Sequence, residues 1–149
     1  MAKSKPKIQA SRNLNAVADR LHSAAIHLLR RVRKQDTATG EGPARLSALS
    51  VLVFGGPCTL GQLAAAEQVK PPTMTRIVAG LERSSLVTRA SDPQDARRVY
   101  VRATPKGIRL LQAGRKRRIE YLAQHLDRLT EDDLAVLGEA AEILERIMH

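Results

Sequence analysis

The tripeptide Lys70-Pro71-Pro72 constrains this chain more than any other stretch. Consecutive prolines cannot continue a helix, because each lacks an N–H and its ring meets the preceding turn. They do suit the first turn of a new helix, where those N–H groups have no partner anyway. Before the break lies TLGQLAAAEQV, which Thr59 can cap by accepting a backbone N–H bond. After it, Met74, Ile77, Val78 and Leu81 recur at three and four and predict a buried stripe. Thr73, Thr75, Arg76 and Gly80 then fall largely on the other side. Two short helices about a tight break, the second with small polar and basic residues outward, describe a helix-turn-helix.

The flanks extend this unit. Leu86–Ala90 and Arg98–Arg102 read as strands, with DPQDA as the turn between them. A hairpin directly after the second helix makes a winged helix. Upstream, Leu14, Val17, Leu21, Ala25, Leu28 and Val32 form the face of a long amphipathic helix. Pro43 opens a shorter helix with Leu46, Leu49, Val51, Leu52 and Phe54 as its apolar set, stopped by Gly55-Gly56-Pro57. Downstream, Thr104-Pro105 begins a helix with Ile108, Leu111, Ile119, Leu122, Leu126 and Leu129 on one face. Thr130 and Asp133 resemble a capping box for a last helix. Its stripes, Leu134-Leu137-Ala141-Leu144-Met148 and Val136-Ala140-Ile143-Ile147, span an arc wider than one small core covers. The expected fold is mainly α: a winged helix-turn-helix with long N- and C-terminal helices forming a dimerisation body against a second copy. The parts are a basic flexible arm (1–10), an N-terminal dimerisation helix (11–42), a DNA-binding lobe (43–104) and C-terminal body helices (105–149).

Charge names the partner class. The net charge of +10 on 149 residues favours a polyanion. Residues 128–149 reverse the balance, with two basic against six acidic side chains, so that end faces away from the polyanion. Aromatic residues make up only 2% of the chain, so Leu, Val, Ile and Ala build the core. The single Cys58 excludes an internal disulfide and a cysteine zinc cluster, and a reduced, cytoplasmic setting fits. No apolar run approaches the roughly 20 residues of a membrane span. Catalysis is not expected. His22 and His27 are about 140° apart round a helix, there is no metal-spaced cluster, and no cofactor motif or nucleophile elbow is present.

Several motifs, in this order, resemble the MarR family of bacterial transcription regulators. The wing Asp92-Pro93-Gln94-Asp95-Ala96-Arg97 is followed by a strand and then by Thr104-Pro105-Lys106-Gly107. The stretch Pro72–Val78, with Leu81-Glu82 and Leu86-Val87, also looks like the family. The resemblance spans residue 12 to the C-terminus. Family members usually carry Gly before the Leu86-Val87 pair, where this chain has Ser85. Ser or Thr is common where Lys70 stands, and a wing Arg where Gln94 stands. Oxidant-sensing members carry a thiol in the first helix, and this chain has none there.

The resemblance implies a homodimer that binds double-stranded DNA at a pseudo-palindromic operator, acting as a repressor. The alternative is an architectural winged-helix protein that binds nucleic acid without sequence choice. The DNA-binding candidates are Thr73, Thr75 and Arg76 on the recognition helix and Asp95, Arg97 and Arg98 in the wing. Arg76 can bond guanine in bidentate fashion or pair with a phosphate. Arg97 suits the minor groove or its phosphates. On this reading Asp95 steadies Arg97 by a charge-assisted bond, Asp92 braces the turn, and Arg97 and Arg98 alternate across the strand. Lys3, Lys5, Lys7 and the Arg30–Lys34 cluster are candidates for flanking phosphates. The family also implies a small aromatic ligand between body and lobes, with His22, His27, Arg30 and Phe54 as its candidate pocket.

Overall fold

The computed structural model describes residues 6–148, with side chains from residue 13. Its elements are α1 (Pro6–Arg33), a 3-10 helix (Lys34–Thr39), α2 (Pro43–Gly55), β1 (Cys58–Thr59), α3 (Leu60–Ala66) and α4 (Pro71–Arg83). Then follow β2 (Val87–Ser91), β3 (Val99–Ala103), α5 (Pro105–Leu126) and α6 (Glu131–Met148). The winged helix-turn-helix with long terminal helices is therefore present. Of the basic arm expected over 1–10, Lys3 and Lys5 lie outside the described residues, as does the side chain of Lys7. Residues 6–10 already belong to α1.

The core sits in the lobe between α2 and α5. Leu49 of α2, Leu63 of α3, Met74, Val78 and Leu81 of α4, and Val101 of β3 are fully buried. Each such side chain contributes about 1.5–3 kcal/mol relative to remaining in water. β3 is the central strand of a three-stranded antiparallel sheet. It pairs with β2 from Val87↔Ala103 to Ser91↔Val99, and with β1 through Cys58↔Val101 and Thr59↔Tyr100. β1 is only two residues long, too short to show alternation in sequence.

The two helix-turn-helix helices end in the same way. After α3, Gln68 takes φ +54°, its N–H bonds Ala65 O, and Val69 N–H bonds Ala64 O. After α4, Ser85 takes φ +59°, its N–H bonds Glu82 O, and Leu86 N–H bonds Leu81 O. Both are Schellman motifs, which satisfy the last carbonyls of a helix and turn the chain sharply. Glycine is the usual residue at that left-handed position; a side chain there costs about 1 kcal/mol. Ser85 is therefore a correct stand-in for the family glycine in geometry, though not in energy.

Thr104 holds that turn. Its hydroxyl donates to Ser85 O at 2.8 Å and accepts from Gly107 N–H at 3.0 Å, while its own N–H bonds Leu86 O. One residue thus closes the end of α4 and caps the start of α5. Lys106 Nζ adds a bond to Ser84 O at 2.9 Å. Gly107 sits so close beneath that a Cβ there would lie 2.3 Å from Leu86 O. The Thr-x-x-Gly spacing is the signature of this contact.

The terminal helices are different. Among the described residues seventeen large apolar side chains are exposed, and fifteen lie on α1 or between Ile119 and Met148. Leu14 is 70% exposed, Val136 63% and Ile147 67%. No residue of α6 is buried. The amphipathic faces expected for these helices form, but nothing within the described chain covers them.

The junction gives a first prediction. Gly107→Ala drives a methyl into a backbone carbonyl and should lower stability by about 1–3 kcal/mol. A urea midpoint equal to that of the wild type would contradict it.

Candidate nucleic-acid interface

α4 is a rod with two unlike sides. Lys70 occupies its N-cap, and Pro71 and Pro72 form its first turn. Met74, Val78 and Leu81 bury one side, and Thr73, Thr75 and Arg76 are exposed on the other. Gly80, expected on that outer side, is buried instead. Arg45 of α2 lies over it, and a Cβ at residue 80 would stand 2.4 Å from the guanidinium. The two prolines remove two N–H groups that a helix start offers to an anion. Lys70 supplies a cation at that same end, alongside the positive end of the helix dipole.

The wing is built from two Asx turns. Asp92 Oδ1 accepts from Gln94 N–H at 2.8 Å, and Asp95 Oδ1 accepts from Arg97 N–H at 3.0 Å. Arg98 N–H bonds Asp95 O at 2.9 Å, and Asp92 N–H bonds Arg98 O at 2.8 Å, closing the loop. This differs from expectation in two ways. Asp95 holds the backbone of Arg97, while its carboxylate sits 3.7 Å from Nε of Arg98. Arg97 and Arg98 also precede β3, which begins at Val99, so they do not alternate across a strand. Both are exposed. The wing is tied to α4 by Arg89 of β2, whose Nε lies 3.1 Å from Glu82 Oε2. Sequence reading missed that bridge, because its partners are far apart in pattern and close only across the Schellman turn.

A cavity of about 600 Å³ opens between the C-terminal turns of α1 with the 3-10 helix, one side of α2 from Pro43 to Phe54, and the middle of α5. Its apolar wall includes Leu46, Phe54 and Leu122, and its polar wall Arg33, Asp36, Glu41, Arg115 and Arg118. Phe54, 75% exposed, belongs to this wall and not to the core, which corrects its place in the apolar set of α2. His22, His27 and Arg30 do not line it. His22 lies seven residues before Leu29, about 10 Å up the helix, and His27 and Arg30 point to other sides. Arg33, Arg115 and Arg118 stand in their place. Arg33 belongs to the cluster expected at flanking phosphates. Arg118 pairs with Asp36 inside the cavity rim.

Glu41 joins this cavity to the recognition helix. Its side chain is only 8% exposed, and Arg45 Nη1 donates to it at 2.9 Å. Burial alone raises a carboxyl pKa. The Ser84 hydroxyl, and Arg45 and Lys106 with their charges, outweigh burial and hold Glu41 below its ordinary value of 4.5. The i, i+4 spacing of Glu41 and Arg45 was visible in sequence. Their seat against Gly80 and Ser84 was not.

The family sequence model described as the MarR family matches residues 43–99. An HTH-type transcriptional regulator of Mycobacterium tuberculosis is 36% identical over 128 residues, covering 86% of this chain and 90% of that protein. The chain belongs to the MarR family. A MarR family protein from Bacillus stearothermophilus shares its fold at TM-score 0.78 and 26% identity, over 93% of this chain and 96% of that one. A variant of Staphylococcus aureus MepR, bound to an oligodeoxyribonucleotide, matches at TM-score 0.70 and 19% identity, over 89% and 98% of the two chains. This MarR-family protein is accordingly a DNA-binding transcription regulator and not an enzyme. Among its described residues no helix is long and apolar enough to cross a membrane.

Because the folded Glu41 carboxyl is more acidic than the unfolded one, its contribution is present above pH 4.5 and lost as pH falls through its folded value. Glu41→Gln should therefore be less stable than wild type at pH 7. The two thermal midpoints should converge as pH drops below that value. A constant gap across the acid range would remove Glu41 from this role.

Proposed function

We propose that this MarR-family regulator is a homodimeric repressor that reads a pseudo-palindromic operator and releases it when a small aromatic acid enters the body–lobe cavity. One observation carries the reading: a rigid helix with a bare Thr73-Thr75-Arg76 side, followed by a wing that displays Arg97 and Arg98. α4 enters the major groove, and the wing reaches the adjacent backbone or minor groove. The oligodeoxyribonucleotide held by the similarly folded MepR variant supports this docking.

The uncovered stripes of α1, α5 and α6 support the dimer. An apolar surface of that extent marks an interface between chains. Residues 11–42 and 105–149 form the shared body, and residues 43–104 form each reading lobe. Two-fold symmetry then places the half-sites about one helical turn apart. A dimer straddling both half-sites occludes the duplex, which is repression. The protein works where its DNA is, in the cytoplasm.

The cavity suits an aromatic carboxylate: Phe54, Leu46 and Leu122 meet the ring, and Arg115 or Arg118 the anion. An incoming carboxylate competes with Asp36 for Arg118. Through Glu41 and Arg45 the same wall touches Gly80 of α4. Coupling of this kind is worth about 1–3 kcal/mol, roughly 5- to 150-fold in DNA affinity.

The test is selection of duplexes from a random pool by the purified protein. The expected product is a palindromic site bound as one dimer of 16.3 kDa chains, winning over random duplex by at least about 10³-fold and weakened by benzoate. Binding without sequence preference would instead establish the architectural reading. Arg97→Ala should weaken binding to all sequences and flatten the salt dependence by about one phosphate contact. An unchanged slope would take Arg97 out of the interface.

A further inference from the structure

We infer that Thr75 reads a thymine through its methyl group and not through its hydroxyl. The inference rests on the proposed docking of α4 and adds the chemical class of one base contact. Thr75 Oγ1 donates to Pro71 O at 3.0 Å, a bond back to the carbonyl four residues earlier. Threonine's hydroxyl carries one proton, and here that proton is committed to the helix's own backbone. The side chain therefore cannot donate to guanine O6 or N7, to adenine N7 or to thymine O4. The same bond fixes χ1, because a β-branched side chain in a helix has few rotamers to choose from. The oxygen keeps only an acceptor role and is folded towards the helix's own backbone, so the outward contact is assigned to the methyl. In the major groove the apolar feature of matching kind is the C5-methyl of thymine.

The neighbouring residues sharpen the contrast. Thr73, at the third position of α4, makes no side-chain hydrogen bond among the described residues, so its hydroxyl remains available to a base or phosphate. Arg76 carries donors only. Thr75 is thus the apolar member of a three-residue reading face. Its rotamer is set before DNA arrives, so little side-chain freedom is lost on binding.

The experiment uses the full chain and the duplex that it selects from a random pool. Each thymidine of that duplex is replaced in turn by deoxyuridine, which removes only the methyl. At one position per half-site the replacement should weaken wild-type binding about fourfold, the worth of burying one methyl. Thr75→Val keeps a methyl and loses the hydroxyl; it should bind within about twofold of wild type and keep the same deoxyuridine sensitivity. Thr75→Ser keeps the hydroxyl and loses the methyl; it should bind about fourfold more weakly per half-site and be indifferent to deoxyuridine at that position. Matching thermal midpoints of the three proteins exclude a folding effect. Weak binding by Thr75→Val with full binding by Thr75→Ser would overturn the inference in favour of the hydroxyl. So would a duplex in which no thymine methyl matters to the wild type. If no sequence is selected at all, the operator reading itself fails, and this inference falls with it.

Discussion

A single threonine hydroxyl holds the reading lobe together. Thr104 Oγ1 donates to Ser85 O and accepts from Gly107 N–H, so it joins the end of α4 to the beginning of α5. The wing leaves the first of these points and returns to the second. Its two strands are paired from Val87↔Ala103 outward, so the angle of the hairpin against α4 is set where they start. Gly107 makes the approach feasible, since any side chain there would meet the Leu86 carbonyl. The position of Arg97 and Arg98 relative to the recognition helix follows from this small knot of backbone. Their own exposed guanidinium groups contribute little to it.

The lobe and the terminal helices obey different rules. The lobe closes its own core with Leu49, Leu63, Met74, Val78 and Leu81. The long helices instead present aliphatic stripes outward. Between the two regions lies the cavity, with Arg118 paired to Asp36 and Glu41 held by Arg45. These half-buried ion pairs sit where body and lobe meet. Burying charge is costly unless it is paired well, and here each of these charges has its partner. Through Arg45, which lies over Gly80, the Glu41 pair also touches α4.

The fold was legible in the sequence because its punctuation is strong. Pro71-Pro72, the Thr59 and Thr104 caps, and the DPQDA turn each have a local physical meaning, and periodicity supplied the faces of the helices. Thr73, Thr75 and Arg76 were placed outward by that periodicity alone, and they are exposed. Gly80 was misplaced, because a glycine carries no information about what packs over it; only Arg45, 35 positions away, decides that. The wing erred for a related reason. An aspartate two residues before an arginine can bind its backbone or its guanidinium, and sequence does not choose between them. Of the four pocket candidates only Phe54 lines the cavity. Arg33, Arg115 and Arg118 are brought around one space only where two separate helices, α1 and α5, meet. The left-handed cap at Gln68 was hidden because it is not glycine, and the one at Ser85 was signalled only by the family glycine that it replaces.

α6 has no buried residue of its own. Where a second copy covers its apolar stripes, as proposed, burying them is a second-order process in chain concentration. Newly made chains at low abundance would then spend longer with those stripes wet, in the window where proteases and chaperones act. The level of active regulator would rise more steeply than the level of chain synthesised. A threshold in gene control could thus originate in how this polypeptide finishes folding, before any operator is bound.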